Sequence, residues 1–260
     1  MTSKRREKGS SIARVLEIIE AVSKAERPLS PADLSLLLDI PKPSIHRLLQ
    51  QLEADGYLQT NMRGLIVPAD RLHNIALGVL YTSRFKALRK AILKKLAAQV
   101  GETCGISIPD GIEMIYYDRE QTNWPLQVHL PIGSHTPVSC SASGKLYLGS
   151  LPPDRRQSII KNLPLDQRAR NTITSAEALE AAAIESAEQD LGVDNEELVD
   201  GMVAISVPIR DKTGKLFACL FIHAPIIRKN LEELKEFEPL LRSAAEELGQ
   251  LIGTDSDNDK

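Results

Sequence analysis

Two short runs of this 260-residue chain carry side chains whose types and spacing could do chemistry. The first is Lys42, Ser44, His46, Arg47 and Gln50, polar groups interleaved with Ile45, Leu48, Leu49 and Leu52. The apolar set falls at i, i+3, i+4, i+7 and makes one buried helix face, so the polar set is turned outward. Donors near the start of such a helix suit a major groove, where each base pair offers its own pattern of acceptors and donors. The second run is Cys140 followed by Ser141-Ala142-Ser143-Gly144-Lys145. A helix that opens on small residues presents free N–H groups and a positive dipole end, which together favour a small carboxylate. The alternative is a close-packed helix start with no ligand. A phosphate loop does not fit, because Ser139 stands where its first Gly belongs and Leu146 where Ser or Thr should hold magnesium. A Ser/Lys hydrolase needs Ser three residues before Lys145, and that position is Ala142. The competing class is a small-molecule enzyme using Ser141 and Lys145 with Asp194 or His223, its N-terminal helices serving assembly. Against it, no nucleophile and base are recognisable as a pair.

The elements needed to hold the first run can be read directly. Ser30-Pro31-Ala32-Asp33 supplies a cap, a Pro suited to a first turn and a capping-box carboxylate, opening a helix with Leu34, Leu37 and Leu38 inward. Asp39-Ile40-Pro41 breaks it and Pro43 restarts the next. Gly56 ends that second helix. Residues 57–60 and 65–67 then form a hairpin around Asn61-Met62-Arg63-Gly64, with Arg63 at its tip to meet a phosphate or the minor groove. Upstream, Ser10 or Ser11 caps a helix to Val22 with Ile12, Val15, Leu16, Ile19 and Val22 inward. The basic arm Lys4, Arg5, Arg6 and Lys8 either follows a phosphate backbone or is solvated. Singly these pieces are ordinary packing; corner, polar face and wing in order point to DNA.

Beyond the wing, residues 69–85 and then 86–100 read as helical, a stiff connection between domains. Strands are expected at residues 103–109, 113–118, 126–130, 202–210 and 216–224, and helices at 141–151, 154–163, 176–191 and 231–252. This is an α+β chain whose larger part is an antiparallel sheet with flanking helices. Phe221 and His223 share one side of a strand. They are either core with a satisfied imidazole or a pocket wall, and Asp194 is either a loop carboxylate or a pocket group.

Composition narrows the classes. A net charge of −3 argues against coating nucleic acid, so DNA binding must be focused on one face. Three separated cysteines, Cys104, Cys140 and Cys219, fit a reducing compartment. Neither they nor the five histidines show zinc-ligand spacing, so no metal and no cofactor is expected. The chain has no signal-peptide pattern and no apolar run near about 20 residues, which reads as a cytoplasmic protein without a membrane partner.

Along nearly its whole length the chain resembles the IclR family of bacterial transcription regulators. The matching residues are 29–34 and 41–49 in the reading head, Gly101-Glu102-Thr103, Gly133 with Pro137, 141–145, Asn171-Thr172-Ile173, Asp194-Asn195-Glu196-Glu197, Gly201, Pro208 and Pro225. The resemblance implies a winged helix-turn-helix domain (1–68), a helical linker (69–86), a GAF-like or profilin-like effector domain (87–254) and a polar tail (255–260). It also implies homodimers that pair into tetramers, an operator DNA and a small-molecule effector. By position, the family's pocket falls on residues 140–145, Asp194, Ala204, Phe221 and His223. Family members that take very small keto acids have Cys at the position of Ala204 and Ser at those of Phe221 and His223, so the replacements here imply an organic acid with a less polar body. Pro43 replaces the usual Ser, and the wing has Leu65-Ile66-Val67-Pro68 in place of Tyr-Arg-Leu-Gly.

Overall fold

A computed structural model describes residues 11–25, 27–72, 75, 86–125, 127 and 129–253. The chain divides into two compact units, Met1–Arg84 and Phe85–Lys260. The basic arm, most of the expected linker and the polar tail lie outside the described residues.

In the first unit, α1 (Ser11–Lys24), α2 (Pro31–Leu38) and α3 (Lys42–Ala54) enclose Ile18, Val22, Leu34, Ile40, Ile45, Leu48, Leu49 and Leu52. α2 begins as its sequence dictates: Asp33 N–H donates to Ser30 Oγ at 3.1 Å and Ser30 N–H returns to Asp33 Oδ2 at 2.9 Å. It ends at Asp39, held left-handed at φ 51°. The antiparallel hairpin β1 (Leu58–Thr60) and β2 (Ile66–Pro68) follows Gly56, whose φ of +76° is open to glycine without strain. Its turn is fixed by Asn61 Oδ1, which accepts from the Arg63 and Leu65 N–H groups at 2.9 and 3.1 Å.

Three apolar residues expected inside are outside: Ile12 is 72% exposed, Leu16 53% and Leu37 64%. On α1 the inward set is Val15, Ile18, Ile19 and Val22, one position round from the expected stripe. On α2, Leu34, Leu36, Leu37 and Leu38 are so dense that periodicity cannot choose among them. Packing against α1 and α3 chooses Leu34.

The second unit is a six-stranded antiparallel sheet of order β5-β4-β3-β8-β7-β6. Its strands are β3 (Thr103–Asp110), β4 (Glu113–Glu120), β5 (His135–Pro137), β6 (Gly192–Asn195), β7 (Met202–Arg210) and β8 (Leu216–Pro225). The helix α4 (Lys86–Val100) packs with the C-terminal helix α9 (Glu238–Gly253), and both lie on the sheet. The other face carries α5 (Ala142–Ser150), with α6 (Pro153–Ile160) and α7 (Ala176–Gln189) outside it. Close approach of α5 depends on missing side chains. A Cβ on Gly192 would stand 2.0 Å from Ala142 O, and one on Gly149 2.2 Å from Ala183 O.

The expected strand at 126–130 is not one: Gln127, His129 and Leu130 are unpaired in the sheet, and Leu126 and Val128 lie outside the described residues. The edge position belongs to β5, which pairs with β4 through Glu113↔Pro137. β6 had not been expected, since Gly, Asp and Asn are poor strand formers and its pairing with β7 creates it. The single C-terminal helix is two, α8 (Leu231–Lys235) and α9. Pro239 explains the break, because it suits a new first turn and cannot continue an old helix.

Candidate functional site

On α3 the two faces separate as the pattern requires. Ile45, Leu48, Leu49 and Leu52 are buried, Lys42, His46, Arg47 and Gln50 are exposed and Ser44 is half-buried. Arg63 is exposed at the hairpin tip, beside a fully exposed Met62. The fold thus fixes a row of donors on one rigid helix and a cation on a turn of the same unit.

In the second unit, one cavity of about 40 Å³ lies between α5 and the sheet. Strand register explains its walls. His223 on β8 pairs with Ala204 on β7, which pairs with Asp194 on β6; the next row on that face sets Phe221 between Gly105 and Ser206. A Cβ on Gly105 would stand 2.5 Å from the Phe221 ring, so glycine there gives the ring its seat. Phe221 lies 4.6 Å from the Tyr116 ring and 5.8 Å, near parallel, from His223. Ser143 Oγ meets Ser206 Oγ at 3.0 Å and anchors the first turn of α5 over the sheet.

That turn is partly satisfied. Ser141 Oγ accepts from Gly144 N–H at 3.2 Å and donates to Pro137 O at 2.8 Å. The Ala142 and Ser143 N–H groups are the remaining helix-start donors, and Ser141, Ala142 and Ser143 all line the cavity. Among the described residues, His223 Nε2 is buried with no partner, and so is Ser107 Oγ. Burial, then the charges of Arg119 and Arg228, pushes His223 down to about 4, so its imidazole is neutral near pH 7. Burial lifts Asp194 to about 7, with the Glu197 N–H bond opposing and the Glu197 charge reinforcing the rise.

Seven expected positions come together here: Ser141, Ala142, Ser143, Asp194, Ala204, Phe221 and His223. Three do not line the cavity. Cys140 is buried in the turn before α5, Gly144 packs on Val138, and Lys145 is buried in an ion pair with Glu197. The supposed catalytic pair is likewise occupied, Ser141 in a helix cap and Lys145 by Glu197. Among the described residues no cluster of His, Cys, Asp or Glu could hold a metal ion, and no helix is long and apolar enough to cross a membrane.

The IclR helix-turn-helix domain matches residues 11–61, and the bacterial transcriptional regulator IclR C-terminal domain matches residues 79–250. The chain belongs to the IclR family. The probable transcriptional regulator SauR of Cupriavidus necator is 37% identical over 92% of this chain and 95% of its own. A putative transcriptional regulator from Rhodococcus sp. RHA1 superposes with a TM-score of 0.64 at 25% identity, covering 94% of this chain and 98% of that one. An IclR homologue from Microbacterium hydrocarbonoxydans, solved with 4-hydroxybenzoate, superposes with a TM-score of 0.59 at 21% identity over 94% and 99%. With an IclR reading head and an IclR C-terminal domain, this chain is a DNA-binding transcriptional regulator controlled by a small-molecule effector.

Sequence reasoning missed half of the cavity lining. Ser107, Tyr116, Leu130, Thr136, Leu198, Val199, Met202 and Val203 also line it. Ser107 and Tyr116 had a signal, since they lie on expected strands in alternation with core positions. Leu198 and Val199 had none, because the loop after β6 is shaped by Asp194 Oδ1 accepting from the Glu197 and Leu198 N–H groups.

Proposed function

We propose that this regulator reads its operator with Lys42, Ser44, His46, Arg47 and Gln50 of α3 and with Arg63 of the wing. One head covers a few base pairs, so a homodimer, pairing further into a tetramer, supplies two half-sites about one or more helical turns apart. The domain limits that fit this division are 1–68 for the head, 69–86 for the linker, 87–254 for the effector domain and 255–260 for the tail. The protein acts on DNA and carries no catalytic role.

The effector is a small organic acid. The observation that carries this is the cavity itself: free N–H groups of the α5 start on one wall, the Phe221 and Tyr116 rings on another, and the unpartnered His223 Nε2 between. The carboxylate meets the helix start, the apolar body lies on Phe221, and His223 sets orientation through one hydrogen bond. The Microbacterium homologue's complex with 4-hydroxybenzoate supports an acid as the ligand class. At about 40 Å³ the cavity is smaller than the roughly 150 Å³ that admits a benzene ring. A short-chain acid enters with little movement, whereas a ring requires Tyr116 and Phe221 to part.

A thermal-shift screen of organic acids, sugars and nucleotides, followed by calorimetry on wild type and His223→Ala, tests this. An acid that stabilises the protein and binds the variant about 10-fold or more weakly is the expected result. A neutral sugar as the best hit, or an acid bound equally by the variant, overturns it.

A further inference from the structure

Asp194 stands on the cavity wall with a second carboxylate behind it. Its Oδ1 accepts from Glu197 N–H at 2.8 Å and Leu198 N–H at 3.3 Å, which leaves Oδ2 toward the cavity. Glu197 Oε1 accepts from Lys145 Nζ, while among the described residues its Oε2 is buried without a partner. Asp194, Glu197 and Lys145 are all under 10% exposed, so two carboxylates share one ammonium inside the fold. The titratable groups beside Asp194 on the cavity wall bring no positive charge. Tyr116 on β4 and the Cys140 thiol before α5 are both pushed up by burial and by Asp194 itself, and hence stay neutral. His223, across β7 on β8, is neutral as well. Arg168 acts through its field at Cys140, Arg119 through its field at Tyr116 and His223, and Arg228 through its field at His223, all from outside the cavity wall. Among the described residues, no Lys or Arg lines the cavity.

An anionic effector therefore brings a further negative charge to the side of the cavity where two carboxylates already share one ammonium. At low effective dielectric that repulsion is strong unless a proton accompanies the ligand. Resting on the organic-acid reading above, we propose that the acid and a proton enter together: Asp194 Oδ2 takes the proton and turns it toward the ligand as a hydrogen-bond donor, making Asp194 the residue that lets a cavity wall lined by no Lys or Arg accept an anion. The balance is simple. Asp194 carboxylate, ligand carboxylate and one solvent proton are consumed, and a neutral Asp194 carboxyl bonded to a bound carboxylate is formed, with a single net negative charge before and after. Since burial already holds Asp194 near 7, little is lost by this below neutral pH, and the cost grows above it.

Calorimetry of the full chain with acetate, benzoate and 4-hydroxybenzoate from pH 6 to 8.5, in phosphate and in Tris, counts the protons. Near pH 8 the expected uptake is close to one proton per acid bound, with affinity falling about tenfold per pH unit above 7. Asp194→Asn keeps an oxygen for both backbone N–H groups and offers an N–H to the cavity, so it mimics the protonated wall. It should bind the same acid without that pH dependence, and about tenfold or more tightly than wild type at pH 8. Zero proton uptake with pH-independent wild-type affinity overturns the proposal while the organic-acid reading stands. If none of the three acids binds, it is that reading which is in trouble, and the ligand-free protein decides where the proton sits. Thermal stability from pH 4 to 7 should then rise on acidification in wild type relative to Asp194→Asn, and superimposable profiles overturn the proposal.

Discussion

The reading head and the effector domain place their polar residues by the same rule with opposite results. In the head the core is full, with Ile18, Leu34 and Ile45 wholly buried, and the donors of α3 are pushed outward. In the sheet the core is left incomplete. Gly105 and Gly192 give tight seats to the Phe221 ring and to Ala142 of α5, but Ala142, Ser143 and Ala204 are too small to close the space between α5 and the strands, and His223, Ser107 and Asp194 face that gap. A polar group on a full core waits for a partner at the surface, whereas one inside a gap must be partnered there or stay orphaned. The first arrangement suits a macromolecular partner and the second a small molecule.

The widest expected effect tests the full core. Ile45→Ala should cost about 2–5 kcal/mol in urea denaturation, while Leu37→Ala, equally apolar but exposed on the neighbouring helix, should stay within about 0.5 kcal/mol. Equal losses would mean that the head is packed differently. The gap depends on how closely α5 sits on the sheet, which is tested at its tightest contact. Gly192→Val drives a side chain into Ala142 O and should cost about 1–3 kcal/mol, together with loss of acid binding as the α5 start lifts from the sheet. A variant that keeps both stability and binding would show that the close approach is not needed.

What was legible in the sequence follows the same division. The α3 stripe, the Ser30–Asp33 box and the β7 and β8 strands were readable because local pattern and tertiary packing agree there. The inward face of α2 was not, since four leucines in five positions leave the choice to neighbours. In the cavity, Phe221 and His223 could be placed on one side of a strand, but their seat depends on Gly105, 116 residues earlier. Lys145 was misplaced because a small-residue helix start says nothing about Glu197, its buried partner on a distant loop.

On the outward face, Arg47→Ala should lower specific operator affinity by about 1–3 kcal/mol with unchanged circular dichroism. Wild-type binding by that variant would reduce Arg47 to a solvated charge. Within the gap, His223 and Asp194 act oppositely on stability. His223 is depressed below its unfolded value of 6.5, so its contribution is lost as pH falls from about 6.5 toward 4. Asp194 is raised above its unfolded value of 3.8, so its contribution is lost as pH rises from about 4 toward 7. Wild type should therefore show a shallow profile over that range. His223→Gln should gain stability on acidification and Asp194→Asn should lose it, each by up to about 1.4 kcal/mol per pH unit. Slopes of the same sign in both variants would contradict these assignments. The smallest effect is at the wing, where Arg63→Ala should reduce the salt slope of DNA binding by about one, and an unchanged slope would remove it from the interface.

The most direct test joins the two regions: fluorescence anisotropy of the full chain on DNA from upstream of its own gene, at two salt concentrations, with and without the acid that gives the largest thermal shift. The expected result is nanomolar to micromolar, sequence-selective and salt-sensitive binding whose affinity changes about 5- to 150-fold when the acid is present, and no such change in Gly192→Val. Binding that ignores sequence, or specific binding that an acid seated in the cavity leaves unaltered, would contradict an outward face and an inward gap working as one regulator.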